Sequence, residues 1–408
     1  MFLQTLPLAF VLAGTVLYTV LAGADFGAGI WQLLSGPGAR GERIREHAHE
    51  SMGPVWEANH VWLIFVLTVT WTAYPLFFGS LASTLSVALF IAGLGIILRG
   101  ASYALRSGAV DERETLVIDG MFSIASLVTP FALGCAAGAI AAERVPVGNA
   151  AGDQFSSWLA AVPITIGALA VCFSVYMAAI FLAGDAERTG DTEMADAFRA
   201  RSLVAGGVAG VVGIVALIIV HGNAHDLYTE LTHGGALATV IVSLVAGVVT
   251  LILVWIRRYE PARFTGGIAV AAVISAWALA RNPVLLPGLT IDQAASAHDS
   301  LVAVVFSVIG GGIILFPALA ALFTLTLRRR TEPLPSAETA AGAVHVGTPL
   351  RASANAPRVA VALFIVGLGF LNAANAGWAH IIGIVALFGF LVSGFVAVVP
   401  GALATDRP

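Results

Sequence analysis

The sequence predicts an all-α polytopic membrane protein with a transmembrane core of nine helices and two further C-terminal spans. First, 58% of its 408 residues are hydrophobic and 11% are charged, whereas soluble domains carry about 25% charged residues. Second, the apolar residues form runs of the roughly 20 residues that cross a bilayer core. Third, the basic residues concentrate in alternate loops. This composition excludes an ordinary soluble enzyme, and the net charge of −4 argues against a nucleic-acid partner.

The apolar runs divide the chain into a core, a linker and an extension. The predicted core domain covers residues 1–327 and contains nine runs, at about 6–34, 55–78, 80–105, 116–142, 157–183, 202–221, 236–256, 264–281 and 299–327. The second and third runs meet at Gly79 and Ser80, which predicts a tight hairpin there. Residues 328–357 are rich in Arg, Thr, Pro, Ala and Ser and predict a cytoplasmic linker. The extension, residues 358–408, contains two more predicted spans, 358–375 and 377–400.

The arginines predict the orientation in the membrane. All 20 basic residues are arginine; 17 of them lie in the odd-numbered loops or in the stretch 328–358 after the ninth run, and Arg407 lies in the C-terminal tail. The even-numbered loops contain only Arg144 and Arg281. Because arginine-rich loops stay in the cytoplasm, we predict a multi-pass membrane protein with its N-terminus outside and its C-terminus inside.

Asp25 is the first ionisable residue inside a span, and such residues are costly enough to be functional hypotheses. It follows Leu6 by 19 residues, which places it about 28 Å along the helix, near the inner face. The alternative is a carboxylate that reaches water or pairs with an arginine near the helix end.

A second polar segment begins the second span. Pro54 is expected to open this helix, and Glu57 and His60 then share one face. Asn59 lies between them, and Trp56 suits a membrane interface. Alternatively, Glu57 only interacts favourably with the helix N-terminus and the tryptophan belongs to an aromatic belt.

Two further charges are predicted at the same membrane depth. Arg99 closes the third span and Asp119 opens the fourth. Together with Asp25, Glu57 and His60 they could hold a proton and pass it inward. They could equally form an ion-pair cluster, Arg99 with Asp25 or Asp119, that only fixes helix packing. The sequence leaves both interpretations open.

No catalytic set and no metal site are predicted in this chain. His221 and His225 have the i, i+4 spacing that can bind a metal, but a solvated outer loop is favoured there. Cys135 and Cys172 lie inside apolar runs without a Cys/His pattern, which argues against a zinc site or a disulfide.

The two polar segments resemble subunit II of cytochrome bd-type quinol oxidases. That family carries Gly-Phe-Asp-x-Gly-x-Gly in its first span, and residues 23–29 read Gly-Ala-Asp-Phe-Gly-Ala-Gly. It carries Pro-x-Trp-Asp-Gly-Asn-x-Val-Trp-Leu at the second span, and residues 54–63 read Pro-Val-Trp-Glu-Ala-Asn-His-Val-Trp-Leu. Tyr74-Pro75 and the arginine of Leu98-Arg99-Gly100 are also similar. The departures are Ala24 for Phe, Glu57-Ala58 for Asp-Gly, and the extension after residue 327.

The resemblance implies a subunit of an enzyme complex of the bacterial cytoplasmic membrane that oxidises quinol and reduces dioxygen to water. It implies that a partner, subunit I, carries the haems and that this chain binds no haem itself. It associates Asp25 and Glu57 with the subunit interface and with a proton route to the oxygen site. A small accessory subunit and a structural quinone bound between spans are further expectations left open.

A secondary transporter with a membrane-embedded acidic site is the alternative function. Transporters bind substrate at the membrane midplane, between broken helices in repeated halves. The polar residues here are predicted near the inner face instead, which favours the oxidase subunit.

Overall fold

The computed structural model describes residues 2–106, 112–331, 356–373 and 377–398. This part of the chain is helical except for loops and one short antiparallel hairpin, β1 (Val284–Leu286) and β2 (Leu289–Thr290). Before residue 332 the helices are α1 (Phe2–Leu33), α2 (Ala39–Ala73), α3 (Pro75–Thr84), α4 (Ser86–Arg106), α5 (Glu112–Ala141), α6 (Ala161–Thr189), α7 (Thr192–Asn223), α8 (His225–Leu231), α9 (Gly234–Trp255), α10 (Tyr259–Arg281), α11 (Ile291–Ala294) and α12 (His298–Thr331). The all-α membrane class is confirmed.

Eight helices of the described residues are long and apolar enough to cross a membrane, namely α1, α4, α5, α6, α7, α9, α10 and α12. The pair formed by Asn59–Ala73 of α2 and α3 passes the same test as one span bent by 120°. The core therefore has eight spans, or nine when this bent pair is counted as one.

The second span begins earlier than predicted. The sequence predicted a helix opening at Pro54, but α2 already begins at Ala39. Its first turns carry charged residues, so hydropathy does not reveal them. These turns pack against the end of α6 and the start of α7. The Arg43 guanidinium pairs with Asp191 and Glu193 at 2.9 and 3.0 Å, and His47 Nε2 lies 3.0 Å from the Leu182 carbonyl oxygen.

The tight hairpin predicted at Gly79 and Ser80 is wrong, because both residues lie inside α3. The break comes at Tyr74, since Pro75 has no N–H and suits the first turn of a new helix. Gly79 instead gives room to a loop, as a Cβ there would lie 2.7 Å from the Asn149 amide oxygen. Ser80 Oγ accepts a hydrogen bond of 2.9 Å from the Gly148 N–H of the same loop.

The centre of the core is the packing of α1 against α2, α5 and α6. Residues 22–30 of α1 are all buried, and small residues allow the close approach. A Cβ on Gly27 would lie 1.9 Å from the Ser174 carbonyl oxygen of α6, and one on Gly29 would lie 2.1 Å from Ser126 Oγ of α5. The glycine-rich motif therefore brings the backbone of α1 directly against two neighbouring helices.

The C-terminal part forms a separate compact unit over residues 327–408. Its described helices are α13 (Ala356–Ala373) and α14 (Gly377–Val398), which are apolar and pack against each other. The Phe364 and Phe390 rings are 5.1 Å apart. Residues 332–355, most of the predicted linker, lie outside the described residues, and the two extra spans stay a prediction.

Candidate functional site

A buried ion pair joins α1 to α4. Arg99 Nη2 lies 2.5 Å from Asp25 Oδ1, and the two side chains are 2% and 3% exposed. Asp25 lies eight residues before Leu33, the last residue of α1, so it is about 12 Å from the end that leads into the arginine-rich first loop. Of the two partners that the sequence left open for Arg99, the structure selects Asp25.

Side chains from two further helices complete the hydrogen bonding of this pair. Asn59 Nδ2 of α2 donates to Asp25 Oδ2 at 3.0 Å. Arg99 Nη1 donates to Ser126 Oγ of α5, whose hydroxyl donates to the Phe122 carbonyl oxygen at 2.6 Å. The site thus ties together α1, α2, α4 and α5.

Aromatic rings enclose the arginine on both sides. The Arg99 Cζ atom lies 4.7 Å from the centre of the Phe26 ring and 4.4 Å from that of Phe122. Such cation–π contacts stabilise a desolvated guanidinium. They also exclude water, which strengthens the attraction between Arg99 and Asp25.

Small residues allow α1 and α4 to pack closely against α5. Gly95 precedes Arg99 by one helical turn, and a Cβ there would lie 2.1 Å from Thr129 Oγ1 of α5. Together with the contact of Gly29 and Ser126, this brings α1 and α4 against the same helix. The arginine can then reach across to the carboxylate.

The other predicted site residues take different positions. His60 is half-buried and interacts electrostatically with Asp25. Asp119 pairs with Arg106 Nε at 3.1 Å instead, and it precedes Ser126 by seven residues, about 10 Å along α5. Trp56 and Glu57 belong to the helical backbone of α2, but their side chains lie outside the described residues.

A small cavity adjoins the Asp25 carboxylate, with room for about one water molecule. Its lining includes Asp25, Gln32, Ala48, His49, Tyr103 and Phe122. Gln32 and Tyr103 follow Asp25 and Arg99 towards the ends of α1 and α4 that border arginine-rich loops. The cavity therefore extends from the ion pair towards the arginine-rich side.

Sequence reasoning missed the polar and aromatic lining of the site. Ser126 and Phe122 are four residues apart on α5, and Tyr103 is four residues after Arg99 on α4. Helical i, i+4 spacing from a buried charge was the signal that could have found them. His49 carried no such signal, because it lies in the stretch of α2 predicted to be a loop.

His221 and His225, the pair with possible metal-binding spacing, form ring contacts. His221 and His225 have ring centres 5.3 Å apart, and residues 225–231 form α8 where a loop was predicted. Within the described residues no group of three or more His, Cys, Asp or Glu side chains could hold a metal ion.

Comparisons with known proteins agree with the resemblance in the two motifs. The model of the family "Cytochrome bd terminal oxidase subunit II" matches residues 3–326. Cytochrome bd ubiquinol oxidase subunit 2 of Bacillus subtilis (strain 168) is 30% identical over 115 residues, which cover 28% of this chain and 33% of that relative. Cytochrome bd-I ubiquinol oxidase subunit 2 of Escherichia coli (strain K12) is 28% identical over 131 residues, covering 32% and 34%. These matches span about a third of the length of the curated relatives.

A solved structure shares the fold. The bd oxidase from Geobacillus thermodenitrificans contains a chain that superimposes with a TM-score of 0.64 at 23% identity, covering 80% of this chain and 99% of that one. The family model covers most of the sequence, including both polar segments. This protein therefore belongs to the cytochrome bd terminal oxidase subunit II family.

Proposed function

We propose that this chain is the non-haem subunit of a membrane complex that oxidises quinol and reduces dioxygen to water. It supports a haem-carrying subunit I and takes part in proton uptake. Membership of this family supports a role as a subunit of such a complex, because the curated relatives are named as subunit 2 of ubiquinol oxidases. The same membership argues against the transporter alternative.

The observation that carries the proton role is the water-sized cavity beside Asp25. A buried carboxylate needs hydrogen-bonding neighbours or water to exchange a proton. The Asp25 carboxylate bonds to Asn59 and Arg99, and Asp25, His49 and Tyr103 all line the cavity. A single bridging water would connect the carboxylate to these side chains.

The direction of uptake follows from the arginines. With the arginine-rich loops in the cytoplasm, the cavity lies on the cytoplasmic side of the Asp25 and Arg99 pair. Protons consumed in oxygen reduction are then drawn from the inside. Glu57, two residues before Asn59 on α2, is the second carboxylate that we assign to this route.

Glu57→Ala tests the route in the assembled oxidase. Positioned proton-transfer groups contribute about 10²–10⁴-fold, so we expect oxygen reduction to slow at least about tenfold while the haem content stays near that of the wild type. Glu57→Asp, which keeps a carboxylate, is the matched control and should retain most turnover. Normal turnover in Glu57→Ala would remove the proton role and leave the family membership intact.

The complex itself is tested by co-expression. This chain alone should show no haem absorption and no oxidase activity, whereas co-expression with subunit I should yield a haem-containing quinol oxidase. A haem spectrum from this chain alone would contradict the division of roles between the subunits.

Ala48 tests the cavity without removing a titratable group. It is fully buried and lines the cavity, so Ala48→Val fills the space of the water. We expect slower oxygen reduction with unchanged haem content. Ala48→Gly enlarges the same space and should keep its turnover. Equal activity of the two variants would show that no water is needed there.

A further inference from the structure

Arg201 lies near the beginning of α7 on a platform of two aromatic rings. Its Cζ atom is 5.7 Å from the centre of the Trp31 ring and 5.1 Å from that of Phe198. Trp31 is close to the end of α1, next to the arginine-rich first loop, and tryptophans there are typical of the membrane interface. Arg201 is half-buried beside this tryptophan.

Two other arginines on this side of the protein, Arg43 and Arg199, have polar partners. The Arg43 side chain pairs with Asp191 and Glu193. The Arg199 side chain, two residues before Arg201, donates to the Trp255 carbonyl oxygen at 2.6 Å. The ends of α2, α7 and α9 are therefore already joined without any contribution from Arg201.

Arg201 differs from these arginines in its contacts. Among the residues that the structure describes, the side chains of Arg201 and Arg40 form no ion pair and no hydrogen bond. Arg40 lies three residues before Arg43 and therefore on the face of α2 that meets the start of α7. An anion that contacts both Arg40 and Arg201 would offset the partial desolvation of the Arg201 side chain.

We propose that Arg201 and Arg40 bind the phosphate of an anionic phospholipid. A guanidinium donates two parallel hydrogen bonds to a phosphate, and basic pockets at the membrane surface bind lipid headgroups. Val204 and Val208 are 68% and 48% exposed, and their i+3 and i+7 spacing places them on the same face of α7 as Arg201. This apolar strip accommodates an acyl chain, which a free phosphate ion would not use.

The test measures lipid retained by the protein as it is purified from its membrane, with the subunits that accompany it. Native mass spectrometry should show phosphatidylglycerol bound in preference to phosphatidylcholine. Retention should fall several-fold in Arg40→Gln/Arg201→Gln. Arg43→Gln removes one equally basic side chain from the same helix as Arg40 and should retain the lipid. Arg201→Lys keeps the positive charge but loses the planar, forked guanidinium, so it should also weaken lipid retention. This single variant tests the site if the double variant does not fold.

Three outcomes would overturn the proposal. The first is equal phosphatidylglycerol retention in the wild type and the double variant. The second is displacement of the lipid by inorganic phosphate at concentrations comparable to those of the lipid, which would assign the site to a free anion. The third is loss of a protein subunit in place of lipid, which would assign the two arginines to a protein interface. The inference rests on Arg40 and Arg201 and does not depend on the proposed proton route.

Discussion

Arg99→Gln should leave the Asp25 carboxylate buried without its cation, and we expect a loss of stability of about 3–5 kcal/mol. Both side chains are almost fully enclosed, so water cannot replace the guanidinium. The variant would also lose the hydrogen bond to Ser126 and the ring contacts with Phe26 and Phe122. The measurement is the thermal unfolding of the detergent-solubilised protein together with its abundance in the membrane.

Two further variants distinguish the loss of the buried ion pair from the loss of any one arginine. Arg106→Gln removes the partner of Asp119, but these side chains are 26% and 16% exposed, so we expect a loss of about 1 kcal/mol or less. Asp25→Asn/Arg99→Gln removes both charges and should be more stable than Arg99→Gln alone, with a coupling of about 1–3 kcal/mol. An Arg99→Gln protein that unfolds at the wild-type temperature would show that the pair contributes nothing.

Gly27→Ala should disrupt the centre of the fold. The added Cβ would lie 1.9 Å from the carbonyl oxygen and 2.4 Å from the carbonyl carbon of Ser174, and a backbone cannot move aside as a side chain can. The helices α1 and α6 must therefore separate, and we expect a cost at or above the upper end of the usual ~1–3 kcal/mol for overpacking. Little folded protein should remain in the membrane.

Gly23→Ala is the matched control, one turn earlier on the same helix. Its Cβ would lie 3.7 Å from Ser174 Oγ, which is ordinary van der Waals contact, and alanine favours the helix by about 0.5–1 kcal/mol over glycine. Gly23→Ala should therefore be as stable as the wild type or slightly more stable. Equal abundance of the two variants would contradict the close packing of α1 on α6.

Much of the fold could be predicted because lipid imposes a simple rule on the sequence. Each span must satisfy its own backbone hydrogen bonds and expose apolar side chains for about 20 residues, so hydropathy located α1, α4 to α7, α9, α10 and α12. It failed for residues 39–53, which are too polar to be recognised as part of a span and where Arg43 and His47 contact α7 and α6. It also failed at Tyr74 and Pro75, because apolar residues continue through the break, and hydropathy instead placed the boundary at Gly79 and Ser80, inside α3.

The sequence could identify members of the candidate site, but it could not show which of them pair with one another. Asp25 and Arg99 were identifiable from the sequence, because a charge inside a span is costly and therefore rare. Which acid Arg99 meets depends on the rotation of α4 and α5 about their axes and on the close approach at Gly29 and Gly95. These quantities are set by packing between helices distant in sequence.

The sequence by itself determined the class of the protein, and the two short polar motifs indicated its family, because membrane spans and motif residues are local features. Only the tertiary structure decided that Arg99 pairs with Asp25, that Asp119 pairs with Arg106, and that a water-sized cavity opens beside the buried carboxylate. The physical reason is that ion pairs and cavities form between helices, where side chains far apart in the chain, such as Asp25 and Arg99 at a separation of 74 positions, meet within 2.5 Å.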